Sequence, residues 1–184
     1  ISFLLERNMK DFVTKLDALA LTPDEKEIRK LALEDEIERK LKALNQSLHD
    51  VQEILVENRV QLVAGLIMAG LGTEGVQPLR VEDLKGIDDK ENNDGQVIMS
   101  KIRMYLNNKH LPEEKIDMIL GILDVVFLNS GLEKPTPGGE SKLHTIYADV
   151  KRDILPYVTK ELHNIDFTGR LFNVMNEWVA APDG

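Results

Sequence analysis

The sequence contains no cysteine. That excludes a disulfide framework, thiolate zinc sites and a cysteine nucleophile, and it makes the cytoplasm the natural compartment. Aromatic residues account for only 5% of the 184 positions, with a single Trp. Leu, Ile and Val must therefore do most of the packing, and residues that favour strands are scarce. No apolar run approaches the ~20 residues needed to span a bilayer; the best, Leu62 to Leu71, is too short. A basic excess is also missing. The net charge of -9 means that the chain as a whole is not drawn to phosphate backbones, so any nucleic acid must be held by a local basic face. The start at Ile1 lacks both an initiator Met and a charged-then-apolar leader, so the expectation is a piece of a longer protein with no signal peptide.

What the chain does have is helical periodicity in nearly every apolar segment, and 42% hydrophobic residues to build a core. The expected fold class is all-α: a compact multi-helix domain with an N-terminal long helix or helical hairpin. Residues 1–70 form the N-terminal helical segment, 71–94 a glycine-rich loop region and 95–184 the C-terminal helical core, within one domain overall. Phe3, Leu4, Leu5, Met9, Phe12, Val13, Leu16 and Leu19 mark a helical stripe from Ser2 to Ala20. Thr22-Pro23-Asp24-Glu25 then reads as a helix start, with Thr22 as cap, Pro23 in the first helical position and Glu25 bonding back to the Thr22 amide. From Ile37 the apolar positions follow a heptad seam through Leu41, Leu44, Leu48, Val51 and Leu55, then Asn58 and Leu62. Ser47 and Asp50 offer a new start within it, which would make two helices around Asn45-Gln46-Ser47. The seam fits an intramolecular helical hairpin more simply than a coiled coil with a partner chain.

Beyond Ala69, glycines and Pro78 punctuate a polar stretch, with one possible helical turn at Val81 to Leu84. Asp94 is expected to cap the next helix, whose apolar face is Val97, Ile98, Ile102, Met104, Tyr105 and Leu106. Leu111-Pro112-Glu113-Glu114 opens another, running through Ile116, Ile119, Leu120, Leu123, Val126 and Phe127. Glu133 to Gly139 is a loop. Helix returns near Ser141 and is kinked or split by Pro156. Asp166 caps a last helix in which Phe167, Leu171, Met175 and Trp178 share a face and Phe172 and Val179 widen it. So apolar a stripe must be buried, in the domain core or in an interface; the core is the simpler of the two.

Few residues point to chemistry. Gly70-Leu71-Gly72-Thr73-Glu74-Gly75 matches GxGxxG, but it follows a helix and leads into a loop, whereas a dinucleotide site needs a strand before and a helix after. A helix end with a turn is the better reading. None of His49, His110, His144 and His163 has a partner at metal-ligand spacing, and there is no HExxH, phosphate-cradling loop or nucleophile elbow. Asp88-Asp89-Lys90 lies in a glycine-flanked loop, without the rigid strands that an acidic nuclease centre requires. No cofactor or metal site is therefore expected within the chain. Basic residues cluster at Arg39, Lys40 and Lys42, at Lys101, Arg103 and Lys109, and at Lys151, Arg152 and the later Arg170. The last two groups are the candidates for contact with DNA, although Lys101 and Arg103 do not share a helical face. The aromatic interleaving of single-strand binders is missing.

Three strings, SKIRMYLNNKHLPEEKIDMILGILDVVF, HTIYADVKRDILPYV and ELHNIDFTGRLFNVMNEWV, resemble the C-terminal domain of the motor (R) subunit of type I restriction-modification enzymes, of the type IC class. The resemblance extends over most of the chain and rests on ordinary residues, not on a catalytic signature. It implies an assembly domain of an ATP- and Mg-dependent, DNA-translocating endonuclease subunit. Such a domain docks the motor on a methyltransferase core of modification and specificity subunits and contacts double-stranded DNA weakly and without sequence preference. It implies no chemistry in this region, since the nuclease and ATPase motifs of such subunits are not in the chain. The competing readings are a helical adaptor or dimerisation module without a nucleic-acid role, and a small enzyme using the Gly70 to Gly75 loop.

The first prediction follows from the missing constellations. The purified chain should neither hydrolyse ATP nor nick supercoiled DNA in the presence of Mg2+. Turnover abolished by a point mutation within the chain would reveal an overlooked site.

Overall fold

Thr22 and Glu25 start the first helix as their spacing requires. In the computed structural model, which describes residues 22–50, 52–160 and 165–180, the Thr22 amide donates to Glu25 Oε2 at 2.9 Å and the Glu25 amide to Thr22 Oγ1 at 3.2 Å. This reciprocal pair satisfies two amides that the helix itself leaves unbonded. The described residues are helical with no strand: α1 (Pro23–Asp50), α2 (Val56–Gly70), α3 (Asp94–Asn107), α4 (Glu113–Phe127), α5 (Lys142–Asp153), the short α6 (Leu155–Val158) and α7 (Thr168–Ala180), with a single 3-10 turn at Val81–Asp83. The stripe expected from Ser2 to Ala20 lies outside the described residues.

Two helices do occupy the seam, but the break is not at Asn45-Gln46-Ser47. α1 runs through those residues to Asp50, and α2 begins at Val56. Glu53 takes a left-handed φ of 56°, and the Ile54 amide returns to the Leu48 carbonyl at 3.0 Å. The break shifts the seam's phase. Ile37, Leu41, Leu44 and Leu48 are buried, but Leu55 is exposed and Ile54 takes the inward position. Val51 lies outside the described residues. Instead of Asn58, the inward polar residue is Arg59, only 1% exposed. Its Nε donates to the Ile54 carbonyl at 2.6 Å and its Nη1 to Asn45 Oδ1 at 3.1 Å. One guanidinium thus ties the last turns of α1 to the first turn of α2. The seam is intramolecular, yet α1 packs chiefly on α7 and α5 and less on α2.

α2 is the centre of the fold and contacts α1, α3, α4, α5 and α7. Small residues allow those close approaches. A Cβ added at Gly65 would lie 2.5 Å from the Phe127 ring of α4, and one at Gly70 would lie 2.5 Å from Leu155. Burial extends as one contiguous apolar cluster from Ile37 in α1 to Trp178 in α7. Each fully buried Leu, Ile or Phe side chain in it is worth about 1.5–3 kcal/mol relative to exposure.

Several helix ends differ from the sequence-based expectation. Asn93, not Asp94, caps α3, accepting from the Gln96 amide at 2.9 Å. Asp94 is the first helical residue and is buried. Pro112 stands just before α4 as its cap residue. Ser141 caps α5, accepting from the His144 amide at 3.1 Å, and Pro156 splits α6 from α5 as expected. Of the apolar face expected on α3, only Ile98, Ile102 and Leu106 are fully buried, while Met104 is exposed.

The last helix is seated by its own stripe. Phe167, Leu171, Met175 and Trp178 are buried, together with Val174, which completes the i, i+3, i+4 pattern. The Phe167 ring meets Tyr157 edge-on, with centroids 5.7 Å apart and planes at 76°. Phe172 and Val179 do not widen the stripe; they are 40% and 52% exposed. Trp178 is 6% exposed, and its Nε1 finds no acceptor among the described residues. Shape, not hydrogen bonding, is therefore its contribution. Trp178→Ala should cost about 3–5 kcal/mol, measured by denaturant unfolding. Trp178→Phe should cost clearly less, because it removes an unpaired buried donor along with the lost volume.

Candidate nucleic-acid interface

The basic residues differ in what their side chains meet. Arg152 lies 2.8 Å from Asp153 and 3.1 Å from Asp149, and these two acids, Asp153 first, hold its guanidinium above its ordinary pKa. Arg170 Nη2 is 2.6 Å from Glu38 Oε2, joining α7 to α1. The pairs of Arg152 lie within α5 itself, whereas that of Arg170 links two helices. Lys109 leans on the Tyr105 ring, its Nζ 5.0 Å from the centroid. Arg103 lines the groove between α3 and α4. Lys101 projects elsewhere, towards residue 77, in keeping with the different helical faces expected of the pair.

Lys101 and Lys151, 50 positions apart in sequence, converge on one segment. Lys101 Nζ donates to the Gln77 carbonyl at 2.8 Å, and Lys151 Nζ lies 3.5 Å from the Leu79 carbonyl. The segment is anchored from below. Leu79 is fully buried, its amide donates to the Ala69 carbonyl at the end of α2 at 2.9 Å, and its carbonyl accepts from the Tyr147 hydroxyl at 2.5 Å. Burial, and then the negative charge of Asp83, push the Tyr147 phenol above its ordinary pKa, so it remains a donor.

The two lysines line a cavity of about 660 Å³ with Gln77, Pro78, Arg80, Asp83 and Val97. A second cavity of about 500 Å³ shares Asp83, Val97 and Lys101 with the first and adds Lys85. The resulting furrow presents Arg80, Lys85, Lys101 and Lys151. Its acids are Asp83, Glu91 and Asp94. Asp83 accepts from the Arg80 amide at 3.0 Å and from the Arg80 guanidinium at 3.0 Å. The sequence reading had Lys101 and Lys151 in separate clusters and passed over Arg80 and Lys85. Only the folding of the 77–85 loop against α3 and α5 brings them together, and no local spacing announces that.

The remaining candidates stay apart from this furrow. The Gly70 to Gly75 segment is a helix end: α2 stops at Gly70, and Thr73 and Val76 pair across a turn. His49 and His144 each face a carboxylate, Asp50 at 2.6 Å and Glu140 at 3.4 Å, and His163 lies outside the described residues. Asp89 is engaged by its own loop, accepting from Asn92 at 2.6 Å and from the Glu91 amide at 3.2 Å. Among the described residues, no three His, Asp or Glu side chains form a group that would hold a metal ion, and no helix is long and apolar enough to cross a membrane.

Comparison of the chain with family models, with curated proteins and with solved structures found no match. The furrow therefore rests on its own geometry.

The Asp83 clasp has a pH signature. The Arg80 amide first, and then the Arg80 guanidinium, hold the Asp83 carboxyl below its ordinary pKa. A carboxyl depressed in the folded state contributes stability that is complete above its unfolded pKa of about 4 and is lost as pH falls through the folded value. Protection of the Arg80 and Asp83 amides, measured as the observed exchange rate relative to the intrinsic rate at each pH, should be unchanged from neutral pH to about 5 and fall below about 4. Asp83→Asn should remove that pH dependence.

Proposed function

We propose that the chain is an assembly domain of a type I restriction enzyme's motor subunit, of the type IC class, and that the furrow between the 77–85 loop, α3 and α5 gives it secondary contact with double-stranded DNA. In this reading the domain docks the motor on the methyltransferase core of modification and specificity subunits and performs no chemistry itself. ATP and Mg2+ act elsewhere in the parent subunit. The sequence resemblance supplies the assignment. The observation that supports the DNA contact is the convergence of Lys101 and Lys151, with Arg80 and Lys85 beside them, on the surface of an otherwise acidic chain. A duplex phosphate backbone is the chemistry that such a row of cations fits. Arg152 and Arg170 also pair with carboxylates, as Arg80 does with Asp83.

The reading predicts weak, sequence-independent duplex binding by the chain alone, falling steeply between about 50 and about 200 mM salt as counterion release requires. Reversing both lysines, with Lys101→Glu and Lys151→Glu, should weaken binding uniformly across sequences and lower the log–log salt slope by about 2. Fluorescence anisotropy measures both. Sequence preference that persists at high salt, or no binding even at low salt, would reject the DNA contact. The docking role is tested separately by co-purification with modification and specificity subunits. If the chain binds neither DNA nor those subunits, the helical adaptor or dimerisation module without a nucleic-acid role takes its place.

A further inference from the structure

α3 stands between two hollows. On one side lies the furrow of the 77–85 loop, whose second cavity is lined by Gln96, Val97, Ser100 and Lys101 of this helix. On the other side a groove of about 420 Å³ separates α3 from α4, and Gln96, Met99, Ser100 and Arg103 form its α3 wall. Gln96 and Ser100, one turn apart, border both hollows and so form the crest between them. Lys101 faces the first hollow and Arg103 the second. Gly121 leaves the α4 wall of the second one low. Glycine weakens a helix interior, and nothing lies within 4 Å of where its Cβ would be. Its effect here is to keep the groove open.

The helix also carries no outward acid. From Gly95 to His110 the chain holds Lys101, Arg103 and Lys109 and neither Asp nor Glu, and the acid at the start of α3, Asp94, is buried. By contrast α1, α2, α4, α5 and α7 each present at least one acid outside the core. In a chain of net charge -9, α3 is thus the one described helix longer than a single turn whose own outer face does not repel phosphate. Asp83, Glu91 and Asp94 in the furrow and Asp124 in the groove offset part of the positive charge around it, which keeps a phosphate contact there weak.

We propose that duplex DNA straddles α3, with the helix in its major groove. The phosphates of one strand lie at Lys101 in the furrow, and those of the other lie at Arg103 in the groove against α4. The inference rests on the reading of the furrow as a DNA contact and adds the second strand to it. An α-helix with its side chains is about 10–12 Å across. That matches a major groove about 12 Å wide and exceeds a minor groove of about 6 Å. The crest suits contact without sequence preference. The Gln96 amide already donates to the Lys90 carbonyl at 3.2 Å, and Ser100 carries only a hydroxyl, so neither offers a free bidentate pair to a base edge. A single strand has one row of phosphates and would engage the furrow alone, where the cations are more numerous.

The test compares a duplex with a single strand of the same length, titrated with the whole chain by fluorescence anisotropy over a salt series. Arg103→Gln should lower the log–log salt slope for the duplex by about 1 and leave that for the single strand unchanged. Lys101→Glu with Lys151→Glu should lower both. Arg103→Lys keeps the charge and should keep the duplex slope, which separates a lost phosphate contact from a disturbed fold. Gly121→Gln fills the groove at a position where the fold has room. It should weaken duplex binding and spare single-strand binding, with an equal or higher melting temperature. Methyl green, which occupies the major groove, should displace the chain from the duplex, and distamycin, which occupies the minor groove, should not. An unchanged duplex slope with Arg103→Gln, an equal change with both DNAs, or displacement by distamycin alone overturns the proposal and leaves the furrow's own contact standing. Binding to neither DNA rejects the reading of the furrow as well.

Discussion

One buried carboxylate holds together the parts of this fold that carry its surfaces. Asp94 is 1% exposed at the first turn of α3. It accepts from the Gly86 amide at 3.1 and 3.2 Å and from the Ser141 hydroxyl. It therefore ties the end of the 77–86 loop and the start of α5 to the N-terminus of α3, where the helix dipole favours a negative charge. Gly86 and Gly95 allow the close approach. A Cβ at Gly86 would lie 2.1 Å from the Gly139 carbonyl, and one at Gly95 would lie 1.9 Å from the Phe127 carbonyl. Asp94 also lines the furrow where it passes Lys85 and Lys101, so the joint that holds the loop in place is part of the surface that the loop helps to form.

The second organising feature is the central position of α2. A helix touched by five others must be narrow where they cross, and Gly65, Ala69 and Gly70 make it so. Its one charged inward residue, Arg59, sits at the joint with α1, where it donates to the connector's Ile54 carbonyl and to the Asn45 side chain. A planar guanidinium supplies several in one plane. The joint is therefore polar and specific, whereas the rest of α2 is held by shape.

Much of this was legible in the sequence, for identifiable reasons. Capping and periodicity are local, so the Thr22–Glu25 box, the seam from Ile37 to Leu48, the split at Pro156 and the stripe of Phe167, Leu171, Met175 and Trp178 could all be read directly. Errors arose where tertiary structure decides. The heptad phase ran on through residues 51–55 because nothing in the pattern marks Glu53 as left-handed. Asp94 has the composition of a cap, but it was drawn inward by Gly86 and Ser141 while Asn93 took the role. Phe172 and Val179 lie at the margin of the stripe on the helix, and only the packing of neighbouring elements decides that this margin stays exposed. For the candidate site the limit is sharper. Lys101 and Lys151 were named as individual residues, but their convergence is a property of topology, and Arg80 gave no signal beyond an ordinary charge.

The furrow's lysines are not idle. Lys101 holds the carbonyl of Gln77, and Lys151 reaches that of Leu79. An ammonium has three N–H donors, so each lysine can keep its loop carbonyl and still face an anion. The loop's other anchors, the Ala69 carbonyl and the Tyr147 hydroxyl, fix it against the interior of the fold. The carbonyls of Gln77 and Leu79 are therefore struts that fix where two long, flexible side chains carry their charge, and part of the entropy of ordering them is spent in folding instead of in binding.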